Sequence, residues 1–256
     1  MIVWTIANQK GGVGKTTTTV TLGGILAERG KRVLLIDTDP HASLTYYFGI
    51  DSEELDNSVF DLFVKRNSMN KEQLLQMLCP TSIDNMDILP ATMALATLDR
   101  RMGNQGGMGL VLKKAIHLLQ DEYDYALIDC PPVLGVLMVN ALAACERILV
   151  PVQTEFLALK GLERMMRTLF LMAKSQKKHY KYTIVPTMFD KRTRASLEAY
   201  KELKKVYGDD VWSSVIPVDT KFRDASLEQL VPSMYAPKSR GVFAYNSLLT
   251  FVSELD

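Results

Sequence analysis

Ten residues constrain this chain more than any others: Asn8-Gln9-Lys10-Gly11-Gly12-Val13-Gly14-Lys15-Thr16-Thr17. They follow an apolar run, residues 2–7, that reads as a buried strand, and they open a stretch with helical spacing over residues 15–29. Glycines at such a junction let successive backbone N–H groups turn inward, and the helix N-terminus adds the positive end of its dipole. The loop is therefore suited to hold phosphate. Lys15 can bridge the β- and γ-phosphates of a nucleoside triphosphate, and the Thr16 hydroxyl can ligate Mg2+. A loop of this kind needs a strand before it and a helix after it, so it commits the chain to βα units.

The remaining pattern agrees. Short apolar runs at residues 33–36, 86–89, 126–128, 148–150, 183–185 and 211–216 read as strands. Helical stretches are expected near residues 71–78, 109–121, 135–144, 155–175, 194–207 and 239–254, and Gly30 is placed to close the first helix as a left-handed cap. Residues 103–107 and 231–237 read as flexible loops. With 256 residues and no linker long enough to divide them, the expectation is α/β, one three-layer domain over residues 1–256. Its mostly parallel sheet would be flanked by helices, as in the P-loop NTPase fold.

Three acids stand where the ends of parallel strands place a nucleotide site. Asp129 ends the apolar run 125–128 and is suited to hold Mg2+ through a water, opposite Thr16. Asp37 and Asp39 end the second strand with one residue between them. Each acid alone reads more readily as a helix cap or turn residue. Their order behind the phosphate loop is what turns them into site candidates.

One position departs from the general phosphate-loop pattern: Gln9 stands where a glycine is usual, and Lys10 follows it. This variant resembles the deviant Walker A loop of the ParA/MinD family of P-loop ATPases. The resemblance implies that Lys10 reaches nucleotide across an ATP-sandwiched homodimer, where a partner's lysine acts as an arginine finger does elsewhere. It also implies that Asp39 orients the attacking water and that Asp37 lies near the Mg2+ shell or pairs with a loop lysine. Lys10, Lys15 and Asp39 would then carry slow Mg2+-dependent ATP hydrolysis, with Thr16, Asp37 and Asp129 around the metal. Residues Lys10, Gly11, Gly12, Val13, Gly14, Lys15, Thr16 and Thr17 would hold ATP, and Met188 and Pro217 would hold its adenine. Those last two read equally well as ordinary strand ends.

What such a switch moves is less plainly written. Net charge is +1, with 17 basic against 12 acidic residues in 151–256, a mild hint of a basic face. Partitioning relatives bind non-specific DNA through dispersed basic residues, and Arg192, Arg194, Lys201, Lys204, Lys205, Lys221 and Arg223 are candidates, against the plainer reading of a solvated face. MinD-type relatives end in a basic amphipathic helix, whereas no Lys or Arg follows Arg240 here and Asp256 is acidic. No segment reaches the roughly 18 apolar residues that span a bilayer. The run Pro40-His41-Ala42-Ser43-Leu44-Thr45-Tyr46-Tyr47-Phe48-Gly49, with Val3-Trp4-Thr5-Ile6-Ala7-Asn8, resembles the ParC-like branch that positions chemotaxis arrays at the cell pole. That resemblance implies a cytoplasmic protein concentrated at the pole, with a chemotaxis adaptor protein, the array kinase and a polar landmark protein as partners.

The alternatives are a chromosome or plasmid partitioning ATPase that binds non-specific DNA, a metabolic ATP-dependent ligase or reductase-like P-loop enzyme, and a binding scaffold without turnover. Cys79, Cys130 and Cys145 are too few and too scattered for a zinc site or a bridging iron–sulfur cluster. The four residues Lys10, Lys15, Asp39 and Asp129 together argue against a scaffold that has lost its chemistry.

Overall fold

The computed structural model describes residues 1–98, 108–177 and 179–255. The loop expected at 103–107, and the acidic Asp256, lie outside them. Among the described residues seven strands form one sheet in the order β3-β4-β2-β5-β1-β6-β7. In chain order they are β1 Ile2–Ile6, β2 Val33–Asp37, β3 Cys79–Pro80, β4 Met86–Leu89, β5 Tyr125–Asp129, β6 Arg147–Gln153 and β7 Lys181–Thr187. Every pairing is parallel except the short edge pair β3–β4.

A parallel sheet is covered on both faces, so its strands are apolar throughout and alternate only in which core they enter. Val3, Leu34, Ile36, Ala126, Ile128 and Ile148 enter one core, under the helices Val111–Leu118, Val136–Ala144 and Phe156–Gln176. Trp4, Leu35, Leu127, Leu149 and Val185 enter the other, under helix α1 (Lys15–Glu28) and the helix Arg240–Ser253. This is the α/β, three-layer arrangement that the alternation of strands and helices implies.

α1 is buried along nearly its whole length because the sheet lies on one side and residues 231–253 lie on the other. Two glycines permit the approach. A Cβ on Gly24 would meet Val231 at 2.6 Å, and one on Gly23 would meet Leu35 at 2.9 Å. The buried threonines of α1 keep their hydroxyls satisfied, as buried polar groups must: Thr19 donates to the Lys15 carbonyl (3.1 Å) and Thr21 to that of Thr17 (2.6 Å). Gly30, at φ +75°, caps the helix as expected.

Two expectations need correction. Residues 211–216 do not form a strand. Val211 makes an isolated bridge to Ile184 of β7 and Pro217 one to Phe189 just beyond it, but the exposed Ser213-Ser214 bend breaks the ladder between them. The stretch 231–237 is not simply loop: Val231 is buried and Pro232–Tyr235 is a short helix with proline in its first turn. No helix among the described residues is long and apolar enough to cross a membrane.

Candidate functional site

The sheet order sets the site. β1 lies between β5 and β6, and the register pairs Ile6 with Asp129 on one neighbour, while Asp37 pairs with Asp129 on the other side of β5. The loop leaving β1 and the acids ending β2 and β5 therefore share one edge. Asn8, fully buried, anchors the loop by donating to the Pro151 carbonyl (2.8 Å) and accepting from the Lys10 N–H (3.0 Å). Gly12 and Gly14 adopt φ +72° and +93°, a region that residues with a Cβ rarely enter. A Cβ on Gly11 or Gly12 would meet nothing within 4 Å, so both positions border open space. The buried Val13 is held from behind, its carbonyl accepting from the Thr187 hydroxyl (2.9 Å).

The two loop lysines take different directions. Lys15 is buried, and its Nζ curls back to the Lys10 carbonyl (3.2 Å). Lys10 instead runs outward along the helix Phe156–Gln176. Its stem packs beside Gly161, where a Cβ would meet it at 3.3 Å, and its Nζ is ion-paired with Glu155. Gln9 adds a second tie to that helix by donating to Thr168 Oγ1 (2.8 Å).

Thr16 donates to Asp129 Oδ2 at 2.6 Å. The other oxygen, Asp129 Oδ1, is buried and has no hydrogen-bond partner among the described residues. Burial, with Asp37 opposite, pushes the Asp129 carboxyl up to about 8. An unmatched buried carboxylate oxygen beside a hydroxyl fits a divalent cation. No group of three or more His, Cys, Asp or Glu among the described residues could hold a metal by itself, so a cation here would need further oxygens from phosphate and water.

Asp37 and Asp39, two residues apart, have opposite surroundings. Asp37 is fully buried. Its Oδ2 accepts from both the Thr45 N–H (2.9 Å) and hydroxyl (2.8 Å), and its Oδ1 from the Asp39 N–H (3.0 Å). Burial raises it to about 6 despite those bonds. Asp39 is half-buried and accepts from the His41 N–H (3.0 Å). Thr38 between them ties the segment to β5, its hydroxyl donating to the Asp129 carbonyl at 2.6 Å. Ala42 stands at φ +53° as the chain turns into the helix Ser43–Tyr47.

Met188 and Pro217 come together with the loop in one cleft of about 380 Å³ that also reaches Gly14 and Thr17. Met188 holds φ +51°, and the neighbouring backbone is pinned by Phe189 N–H to the Ile216 carbonyl (3.0 Å). The cleft continues to Asp219, Phe222, Arg223 and Tyr245. Of these, sequence reading placed only Arg223, and placed it on a nucleic-acid face. Glu155 and Thr45 were missed as well, since both act through contacts that no local motif announces.

The basic candidates are for the most part already engaged. Arg192 pairs with Asp190 (2.7 Å), Lys201 with Glu198 (3.4 Å), Lys205 with Glu202 (3.8 Å) and Lys221 with Asp224 (3.0 Å), while Lys204 donates to the Val211 carbonyl (3.0 Å). Arg194 opens the helix Arg194–Tyr207 among them.

A family model described as an AAA domain matches residues 1–182. The sporulation initiation inhibitor protein Soj of Bacillus subtilis (strain 168) is 37% identical over 244 residues, which cover 95% of this chain and 94% of that protein. The chromosome partitioning protein ParA of Caulobacter vibrioides (strain NA1000 / CB15N) is 35% identical over 249 residues, 96% of this chain and 91% of that one. Among solved structures, cobyrinic acid a,c-diamide synthase from Mycobacterium smegmatis, with a bound ATP analogue and magnesium, gives a TM-score of 0.82 at 32% identity. That likeness covers 98% of this chain and 93% of the other.

Proposed function

Because the chain belongs to the ParA family of P-loop ATPases, with ATP and Mg2+ as its cofactors, we propose that it is an ATP-dependent dimerising switch that hydrolyses ATP slowly and positions cargo inside a bacterium. The divergence of the two loop lysines carries this reading. Lys15 folds onto its own loop, while Lys10 is led outward and paired with Glu155 at the start of a long surface helix. A lysine so placed serves a nucleotide facing the chain better than one inside it.

In this reading the backbone from Gly11 to Thr17 wraps the phosphates and Lys15 bridges the β- and γ-groups. Thr16 and Asp129, with Asp37 behind them, hold magnesium, which when bound neutralises charge on the β- and γ-oxygens. Asp39 orients the attacking water, Lys10 of one copy stabilises charge on the other's nucleotide, and Met188 and Pro217 receive the adenine. Hydrolysis then depends on positioning and charge rather than on any covalent step. Lys15→Ala is expected to abolish measurable ATP binding, because charge-assisted bonds to phosphate from a half-dry loop are among the strongest the site makes. Calorimetry with Mg·ATP checks this, and full binding heat in the variant would refute the assignment of the cradle.

For the cargo, we favour chemotaxis arrays at the pole of a cytoplasm. The support is the sequence running from Pro40 to Gly49. The likeness to the chromosome partitioning protein ParA favours a second reading, chromosome partitioning on non-specific DNA. A fluorescent fusion separates them. A polar focus lost on deletion of the chemotaxis machinery supports the first; a nucleoid haze, with ATP- and salt-dependent DNA binding in vitro, supports the second.

A further inference from the structure

The cleft beside the phosphate loop has two walls, and only one is accounted for. Met188 and Pro217 form the first, at the β7 edge. The second is made by residues 219–223. Its backbone is firmly tied. Asp219 accepts from the Lys221 N–H (3.0 Å) and from the Gly241 N–H (2.9 Å), so both carboxylate oxygens are engaged in holding the turn. Phe222 stacks edge-on against Tyr245 with ring centroids 5.7 Å apart, and the Tyr245 hydroxyl meets Thr18 of α1 at 2.8 Å. A Cβ on Gly241 would meet Phe222 Cζ at 2.3 Å, so that position admits only glycine while Phe222 stays where it is.

Against this fixed background Arg223 stands out. Lys221, two residues before it, is turned away to Asp224 and the Tyr235 ring. Arg223 lines the cleft; it is exposed, and its guanidinium makes no hydrogen bond or ion pair among the described residues. The same cleft is lined by apolar Met188, Ile216, Pro217, Val218 and Phe222, beside polar Thr17, Gln153, Thr187 and Thr220. A planar, weakly hydrated cation beside an apolar slot suits the face of an aromatic ring. We infer that Arg223 is a nucleoside-binding residue: its guanidinium stacks on the base of bound ATP from the wall opposite Met188 and Pro217, with Phe222, Asp219 and Gly241 positioning it. This rests on the reading that ATP occupies the loop.

The test compares three ligands on the full chain by calorimetry: ATP and ADP, each with magnesium, and inorganic tripolyphosphate. Arg223→Ala is expected to weaken ATP and ADP alike, by about three- to thirtyfold for a stacking contact, with tripolyphosphate unchanged. Arg223→Lys keeps the charge without the plane, so it is expected to behave like the alanine variant. Gly241→Ala, which displaces Phe222, is expected to give the same pattern. Equal loss for tripolyphosphate, or full recovery with lysine, would make Arg223 a phosphate-attracting charge and overturn the proposal. So would unchanged ATP affinity in Arg223→Ala. A parent protein that binds tripolyphosphate but no ATP would instead sink the nucleotide reading of the whole site.

Discussion

Lys10→Ala is expected to leave ATP affinity within about threefold of the parent and to lower turnover per subunit by about a thousandfold or more, the scale set by charged groups that act across an interface in phosphoryl transfer. Two features of the structure separate the effects. Lys15, not Lys10, is the lysine whose ammonium lies on the loop, so binding keeps its principal cation. The ammonium of Lys10 rests on Glu155, in a pair whose side chains are 27% and 39% exposed. A pair so open to solvent contributes about 0–1 kcal/mol. A charge-assisted bond to a phosphate in a closing interface is worth more, about 1.5–3 kcal/mol. The lysine is therefore parked on Glu155 rather than locked there, and a second nucleotide-bound copy can take it. Measuring turnover against protein concentration checks the argument. The parent's rate per subunit should rise as dimers form, and the variant's should stay flat. A variant that turned over at the parent rate would remove Lys10 from the chemistry.

This division was legible in the sequence only in part. The βα alternation and the loop at residues 8–17 are local patterns, each dictated by a few neighbours, and they led directly to the sheet and its phosphate cradle. The acids at the strand ends were legible because parallel register carries strand ends to one edge. Glu155 was not, since its meaning comes from a contact with a residue 145 positions away. Arg223 looked like one more member of a basic cluster because nothing in its neighbourhood says that residues 219–223 fold back over the loop. Residues 211–216 misled for the opposite reason. Val211, Trp212 and Ile216 are as apolar as strand residues and fully buried, but the two exposed serines between them leave burial without a ladder.

The family resemblance gives Asp37 and Asp39 different roles, and their surroundings supply a physical reason for the difference. All the hydrogen-bonding from Thr45 and from the Asp39 N–H converges on Asp37, which holds the turn after β2 in shape. Removing that carboxylate strands three donors in a buried site, at a cost of about 1–3 kcal/mol for each one left unpaired. Substitution there is a stability experiment first. Asp39 accepts from the His41 N–H and is only half-buried, so its carboxylate has lone pairs to offer a water on the open side of the loop. Asp39→Ala is therefore expected to keep the fold and ATP binding while turnover falls by about 10²–10⁴, the usual contribution of a positioned acid–base group. With hydrolysis halted and nucleotide still gripped, the ATP-bound dimer should accumulate, visible as a doubled mass by light scattering under Mg·ATP and a monomer under Mg·ADP. Asp39→Asn keeps an acceptor for the His41 N–H but loses the charge, so it should match the alanine variant if the carboxylate acts on water and match the parent if it merely holds the turn. Parent-like turnover in both variants would move the water-positioning role elsewhere in the site.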